Sequence, residues 1–186
     1  MNRYELAFER FLRAARAPYL SNRQVRRFPL GDGKTLKNFD FVVTGADGAS
    51  WIVDVKGRRF PGGLASPRYW KNWTTRDDLV GLLRWEEILG GGTSAYRDRS
   101  LFVFAYWVVG DKKPAPPERL FRWRGAEYAF FAVPTKTFLS EARHISPKWG
   151  TFEIPARRFR EIAEDAAAFF RLRRRRSRLA VKNSFE

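Results

Sequence analysis

The sequence predicts an α/β fold, a central mixed sheet flanked by helices, on three observations. Apolar residues recur at spacings of three and four near the N-terminus. Two strand-like runs flank a tight-turn sequence at 46–48. A capped helix at about 75–89 is followed by a continuous apolar run at 101–109. The order is helix, strand pair, helix, strand, strand, helix, with no internal repeat.

Residues 2–16 read as a helix whose apolar face is Tyr4, Phe8, Phe11, Leu12 and Ala15, ended by Pro18. The following segment is turn-rich, with Gly31 and Gly33 and a short strand expected at 24–28. Strands are expected at about 37–44 and 50–58, joined by Ala46-Asp47-Gly48. "PGGLASPRYWKNW" reads as an ordered loop. Thr75 then reads as an N-cap, with Asp77 and Asp78 in the first turn of a helix that stops at the glycines 90–92. The 101–109 run is rich in Val and aromatics, as expected of a central strand. "PAPP" at 114–117 is a surface loop, 126–134 a strand and "TKTFLSEAR" a short helix. A last helix is expected at about 156–175, with Phe159, Ile162, Ala163, Ala166, Phe169 and Phe170 inward.

Composition narrows the chemistry. With 186 residues, 16% aromatics and seven tryptophans, the chain can build a substantial core. It has no cysteine, which excludes disulfides, zinc thiolates and cysteine nucleophiles. His144 is the one histidine, so any metal must be held by oxygen, as magnesium, calcium or manganese are. The N-terminus lacks a signal-peptide core, and the longest apolar run is under half a bilayer span. A cytoplasmic protein without a membrane partner is expected. Net charge is +16, and the stretch 171–182 carries seven cations and no acid, so +9 remains on the body. Such charge suits a polyanion, nucleic acid above all.

Two charged interruptions break the strand pair. Asp54 and Lys56 are two apart and share a face, while Trp51, Val53 and Val55 take the other. On the preceding strand Asp40 opposes the face of Phe39, Phe41 and Val43. The turn decides whether the two carboxylates meet. A two-residue loop sets Asp40 across from Val55; a three-residue loop, with Gly48 in its left-handed slot, sets it across from Asp54. Two opposed carboxylates repel. A divalent cation relieves that repulsion, and so, in part, does a buried salt bridge from Asp40 or Asp54 to Lys56. Glu5 and Glu9 share a face of the first helix and are candidate further ligands.

A helix Glu, then Asp40, then Asp54-Val55-Lys56 resembles the PD-(D/E)XK nuclease superfamily. The helix "RYELAFERFLRAA" resembles the HYExAFE family within it, through Tyr4, Glu5, Ala7, Phe8 and Glu9, with Arg3 where the family has His. The resemblance covers residues 1–170 as a nuclease-like domain and leaves 171–186 as a basic tail. It implies an αβββαβ core with a C-terminal helix and a metal-dependent nuclease that hydrolyses phosphodiester bonds in DNA and leaves a 5′-phosphate. Asp40, Asp54 and the Val55 carbonyl would bind one Mg2+ (or Mn2+). Glu5 would complete the site directly or through water. Lys56 would hold or help deprotonate the attacking water. The alternative is a catalytically weak or inactive nuclease-fold nucleic-acid-binding protein.

Around this core, Arg3, Arg58, Arg59 and the run Arg173, Arg174, Arg175 and Arg176 are candidate phosphate contacts. Gly57, Gly62 and Gly63 suit either close approach to a ligand or turns. Tyr69, Trp70 and Trp73 suit either base stacking or cover of the sheet edge. Trp85 reads as core, Glu86 and Glu87 as solvated, and His144 as a surface histidine; Lys136, Arg143 and Lys148 are candidate groove residues. DNA is expected over RNA, and the superfamily makes a homodimer a reasonable expectation.

Overall fold

Asn2 starts the first helix, α1 (Arg3–Ala14). Its side chain accepts the Tyr4 and Glu5 amides, and Glu5 reaches back to the Asn2 amide, a reciprocal cap. The computed structural model describes the chain except residues 23–26, 31–32, 34, 64–66, 94, 147 and 173–186. After α1 come β1 (Tyr19–Ser21), β2 (Arg27–Pro29), β3 (Thr35–Lys37), β4 (Phe41–Thr44), β5 (Ser50–Phe60) and β6 (Thr74–Thr75). Then follow α2 (Arg76–Gly90), β7 (Ser100–Val108), a 3-10 turn (Pro117–Arg119), β8 (Phe121–Trp123), β9 (Ala126–Pro134) and α3 (Thr135–Glu141). The described chain closes with β10 (Arg143–Ser146), β11 (Thr151–Glu153), α4 (Ala156–Ile162), β12 (Glu164–Asp165) and α5 (Ala166–Phe169). Among the described residues no helix is long and apolar enough to cross a membrane.

The fold is α/β around a mixed sheet ordered β1-β4-β5-β7-β9-β12, with β8 also on β9. Only β5 and β7 run parallel within it, and α2 connects them. A small sheet, β10-β11-β6, and the β2–β3 ladder lie apart from it.

Alternation along the strands makes two cores. Phe41, Val43, Val53, Val55 and Val103 pack with Ala7, Phe8, Phe11 and Leu12 of α1. Ile52, Phe102, Phe104 and Tyr106 pack with Leu79, Leu82 and Trp85 of α2 and Phe138 of α3. Tyr4 is partly buried and lies over Gly57: a Cβ there would stand 2.1 Å from the Tyr4 ring. Gly57 therefore makes room for a helix rather than for a ligand.

The hairpin follows its turn chemistry. Gly45 N–H donates to the Ala49 carbonyl at 2.9 Å, Gly48 N–H to the Gly45 carbonyl at 3.0 Å, and Gly48 has φ 80. This three-residue loop pairs Phe41 with Val53 and Val43 with Trp51.

Two expected elements differ. The strand at 37–44 is interrupted at 38–40. Asn38 accepts the Phe39 amide at 3.0 Å, and Phe39 packs against Trp85 on the α2 side rather than beside Phe41. Alternation fails there because the chain leaves the sheet to pass beneath α2. The helix expected at 156–175 is broken. Phe159 of α4 belongs to the α2-side core, whereas Ala166, Ala167 and Phe170 belong to the α1-side core. One straight helix cannot serve both faces. The chain instead crosses the sheet edge through β12 on β9, and Asp165 caps α5 by accepting the Ala167 and Ala168 amides.

Candidate active site

The cleft of interest opens where β4 begins, between the N-terminus of α1 and the middle of β5. It has a volume of about 370 Å³ and is lined by Glu5, Asp40, Asp54, Val55 and Lys56, together with Met1, Asn2, Asn22, Lys37, Asn38 and Phe39. Five residues singled out for a metal site or catalysis thus line one concavity.

The break at 38–40 positions Asp40. Its amide donates to the Val53 carbonyl at 2.9 Å, one residue short of what the hairpin register would give, and its Oδ2 accepts the Val55 amide at 2.7 Å. The carboxylate therefore takes a place in the ladder. Burial pushes its pKa up, Asp54 and Glu5 add to this, and the Val55 amide and Lys56 offset only part; the result is about 8. Asp54 is buried and bonded to Lys56, with Nζ to Oδ2 2.8 Å.

Lys56 has a second partner. Its Nζ lies 2.9 Å from Oδ1 of Asp78, a buried residue in the first turn of α2. Lys37 bonds the same oxygen, and Oδ2 of Asp78 accepts the Thr74 hydroxyl at 2.8 Å and the Thr75 amide at 2.9 Å. Burial pulls the Lys56 ammonium down, but Asp54 and Asp78 more than offset this and hold its pKa above the usual value. Lys56 and Lys37 hold the Asp78 carboxyl below the usual range, although burial acts the other way. Lys56 is a fixed cation at neutral pH. The salt bridge weighed against a metal site is present, and it leaves Asp40 as the surplus acid.

Glu5 faces the cleft but is engaged. Oε2 accepts the Asn2 amide at 2.9 Å and Oε1 the Asn2 side-chain amide. Glu9 does not line the cleft. Its carboxylate accepts the Tyr19 hydroxyl at 2.9 Å and Arg13 at 3.0 Å. Residues four apart share a helix face, yet one turn carries Glu9 about 5–6 Å along the axis, past the opening. Among the described residues, no three His, Cys, Asp or Glu side chains form a group that could hold a metal ion.

The basic candidates sit elsewhere. Arg3 lies over the Trp107 ring, 3.5 Å to its centroid, and donates to the Tyr128 hydroxyl at 3.0 Å. Arg59 faces the same ring at 5.3 Å. Arg58 shares the Lys56 face, donates to the Gly57 carbonyl at 2.7 Å and to the Trp73 carbonyl, and lies 4.1 Å over the Trp73 ring. Its Nε is buried without a partner, and burial lowers the guanidinium pKa. Arg173, Arg174, Arg175 and Arg176 lie outside the described residues.

Among the aromatics, Tyr69 and Trp70 pack on Phe60, while Trp73 remains partly exposed. Trp85 is core and donates to the Lys37 carbonyl at 2.9 Å. Glu86 is not merely solvated: it accepts the Ser100 and Asp98 amides at 2.8 and 3.1 Å, tying α2 to β7. Lys136 and Arg143 pair with Asp98 and Glu153, both at 3.1 Å.

Sequence reasoning missed Asp78 and Lys37 as members of the site. The signal for Asp78 was its place three residues after Thr75, a capping box that fixes the carboxylate at the helix start. Lys37 carried no such signal. Comparison of the chain with known family models, with curated proteins and with solved structures finds no match.

Proposed function

We propose that the chain is a metal-dependent nuclease that hydrolyses phosphodiester bonds in DNA. The observation that carries this reading is the cleft itself, which gathers Glu5, Asp40, Asp54, Val55 and Lys56 from three segments around a surplus acid. The element order supports it: within the main sheet, α1, β1, β4, β5, α2 and β7 run as αβββαβ, the order implied by the resemblance to PD-(D/E)XK nucleases. The net charge of +16 suits the substrate.

Asp40 and Asp54 are oxygen donors of the kind a hard divalent cation takes, and burial, with the charge of Asp54 adding to it, drives Asp40 to keep its proton. With the Val55 carbonyl they would hold Mg2+ or Mn2+, and Glu5 would complete the set directly or through water. Bound there, such a cation supplies a more acidic water and neutralises charge developing on the scissile phosphate. Lys56, charged and clamped by Asp54 and Asp78, donates N–H bonds to a phosphate oxygen or to the attacking water. Of the two roles the resemblance implies, a cation held by two carboxylates favours holding the attacking water over taking its proton. Asp78, itself held by Lys37, Thr74 and Thr75, keeps Lys56 in place.

One observation favours a second reading, a nuclease-fold protein that binds nucleic acid and cuts weakly or not at all. Each oxygen of Glu5 already accepts a hydrogen bond from Asn2, so a third ligand would have to share its oxygens with the helix cap. Plasmid and single-stranded DNA incubated with Mg2+, with Mn2+ or with chelator separate the two. The nuclease reading expects metal-dependent cutting that falls at least about a hundredfold in Asp54→Asn. Binding without cutting in any metal supports the second.

A further inference from the structure

A second groove lies farther along the Lys56 face of β5. It has a volume of about 570 Å³ and is formed by residues 68–73 and by the small β10-β11-β6 sheet with the residues after it. Two indoles line it with much of their surface open to water: Trp149 is 71% exposed and Trp73 39%. Cations accompany them. Arg68 and Lys71 line the same groove, and Lys148 Nζ lies 5.5 Å from the Trp149 ring. The acid in the lining, Glu153, is already paired with Arg143. Exposed aromatic faces beside cations that have no acidic partner among the described residues match the chemistry of unpaired bases joined by phosphates. A duplex keeps its bases stacked inside and offers such rings nothing flat to cover.

A chain of contacts runs from the groove to the cleft. Arg58 stacks on Trp73 and bonds its carbonyl, and Arg58 lies two residues beyond Lys56 on the same strand face, about 7 Å along β5. Thr74, the next residue after Trp73, bonds Asp78, which holds Lys56.

We infer that this groove binds single-stranded nucleic acid, stacking bases on Trp149 and Trp73 and pairing phosphates with Arg68 and Lys71. Its role in presenting a strand to Asp40 and Asp54 rests on the nuclease reading above. The test is fluorescence anisotropy with labelled single-stranded dT15 and a hairpin duplex of equal length. It is run in chelator so that nothing is cut, on the full-length wild type, Trp149→Ala, Trp149→Phe and Asp54→Asn. The wild type should bind dT15 more tightly than the duplex. Trp149→Ala should lose about tenfold on dT15 and little on the duplex, and Trp149→Phe should retain most of the affinity. Trp149 is exposed, so thermal melts of both variants should match the wild type. Equal dT15 affinity in Trp149→Ala and wild type, or tighter duplex binding by the wild type, overturns the inference. Cutting in Mg2+ that is unchanged in Asp54→Asn would sink the nuclease reading alone and leave the groove standing.

Discussion

At Asp40, burial and the charge of Asp54 act in the same direction, and the effect is measurable without knowing the substrate. The folded-state pKa of about 8 exceeds the ordinary 3.8. Between these values the folded chain keeps a proton that the unfolded chain releases. Stability is therefore fully present below about pH 4 and declines as pH rises through about 8. In chelator, the wild type should lose melting temperature across this window relative to Asp40→Asn, whose amide oxygen can still accept the Val55 N–H. A gap of at least about 2–4 °C at pH 8 is expected, the shift that 1 kcal/mol gives in a chain of this size. Mg2+ should raise the wild type at pH 8 and leave Asp40→Asn nearly unmoved. A flat difference from pH 4 to 8 would remove the surplus acid from the argument. Lys56 makes the complementary case. Lys56→Ala strands Asp54, while Asp78 keeps Lys37, and should cost about 3–5 kcal/mol in urea unfolding; adding Asp54→Asn should recover part of it. The shared face of Asp54 and Lys56 was legible, since alternation is local. Asp78 was not, because its arrival depends on how α2 seats on the sheet.

The elements show the same division between local and distant causes. Gly48 fixes the loop and the loop fixes the register from Phe41 to Thr44, so the hairpin could be read from a tripeptide, although its register stops one residue short of Asp40. The break before β4 could not: Phe39 turns aside because Trp85, far along the chain, offers it a partner. Nor could the division of the last helix, since its inward residues fit one apolar face while belonging to two cores. Contact between α1 and β5 is testable at Gly57. Gly57→Ala drives a methyl into the Tyr4 ring and should cost about 1–3 kcal/mol, the usual penalty of overpacking. Tyr4→Ala should cost far less in the Gly57→Ala background than in the wild type, because the clash goes with the ring. Additive losses in thermal melts would mean that the ring does not lie there.

For the molecule as a whole, charge sets the terms of association. Residues 173–186 hold six cations and one acid. Removing them should lower the slope of log affinity against log salt by up to about 5 on duplex DNA, near 0.9 per lost phosphate contact. An unchanged slope would show that the body alone makes the phosphate contacts. The passage of the chain across the sheet edge at β12 has a further bearing, on biosynthesis. Ala166, Ala167 and Phe170, which complete the core that the first helix packs into, are translated long after that helix, at about 5–20 residues per second. The nascent polypeptide thus carries a sticky flank for several seconds after its opening helix leaves the ribosome. A stop codon just before Ala166 would make that exposure permanent and send the product to chaperones or proteases.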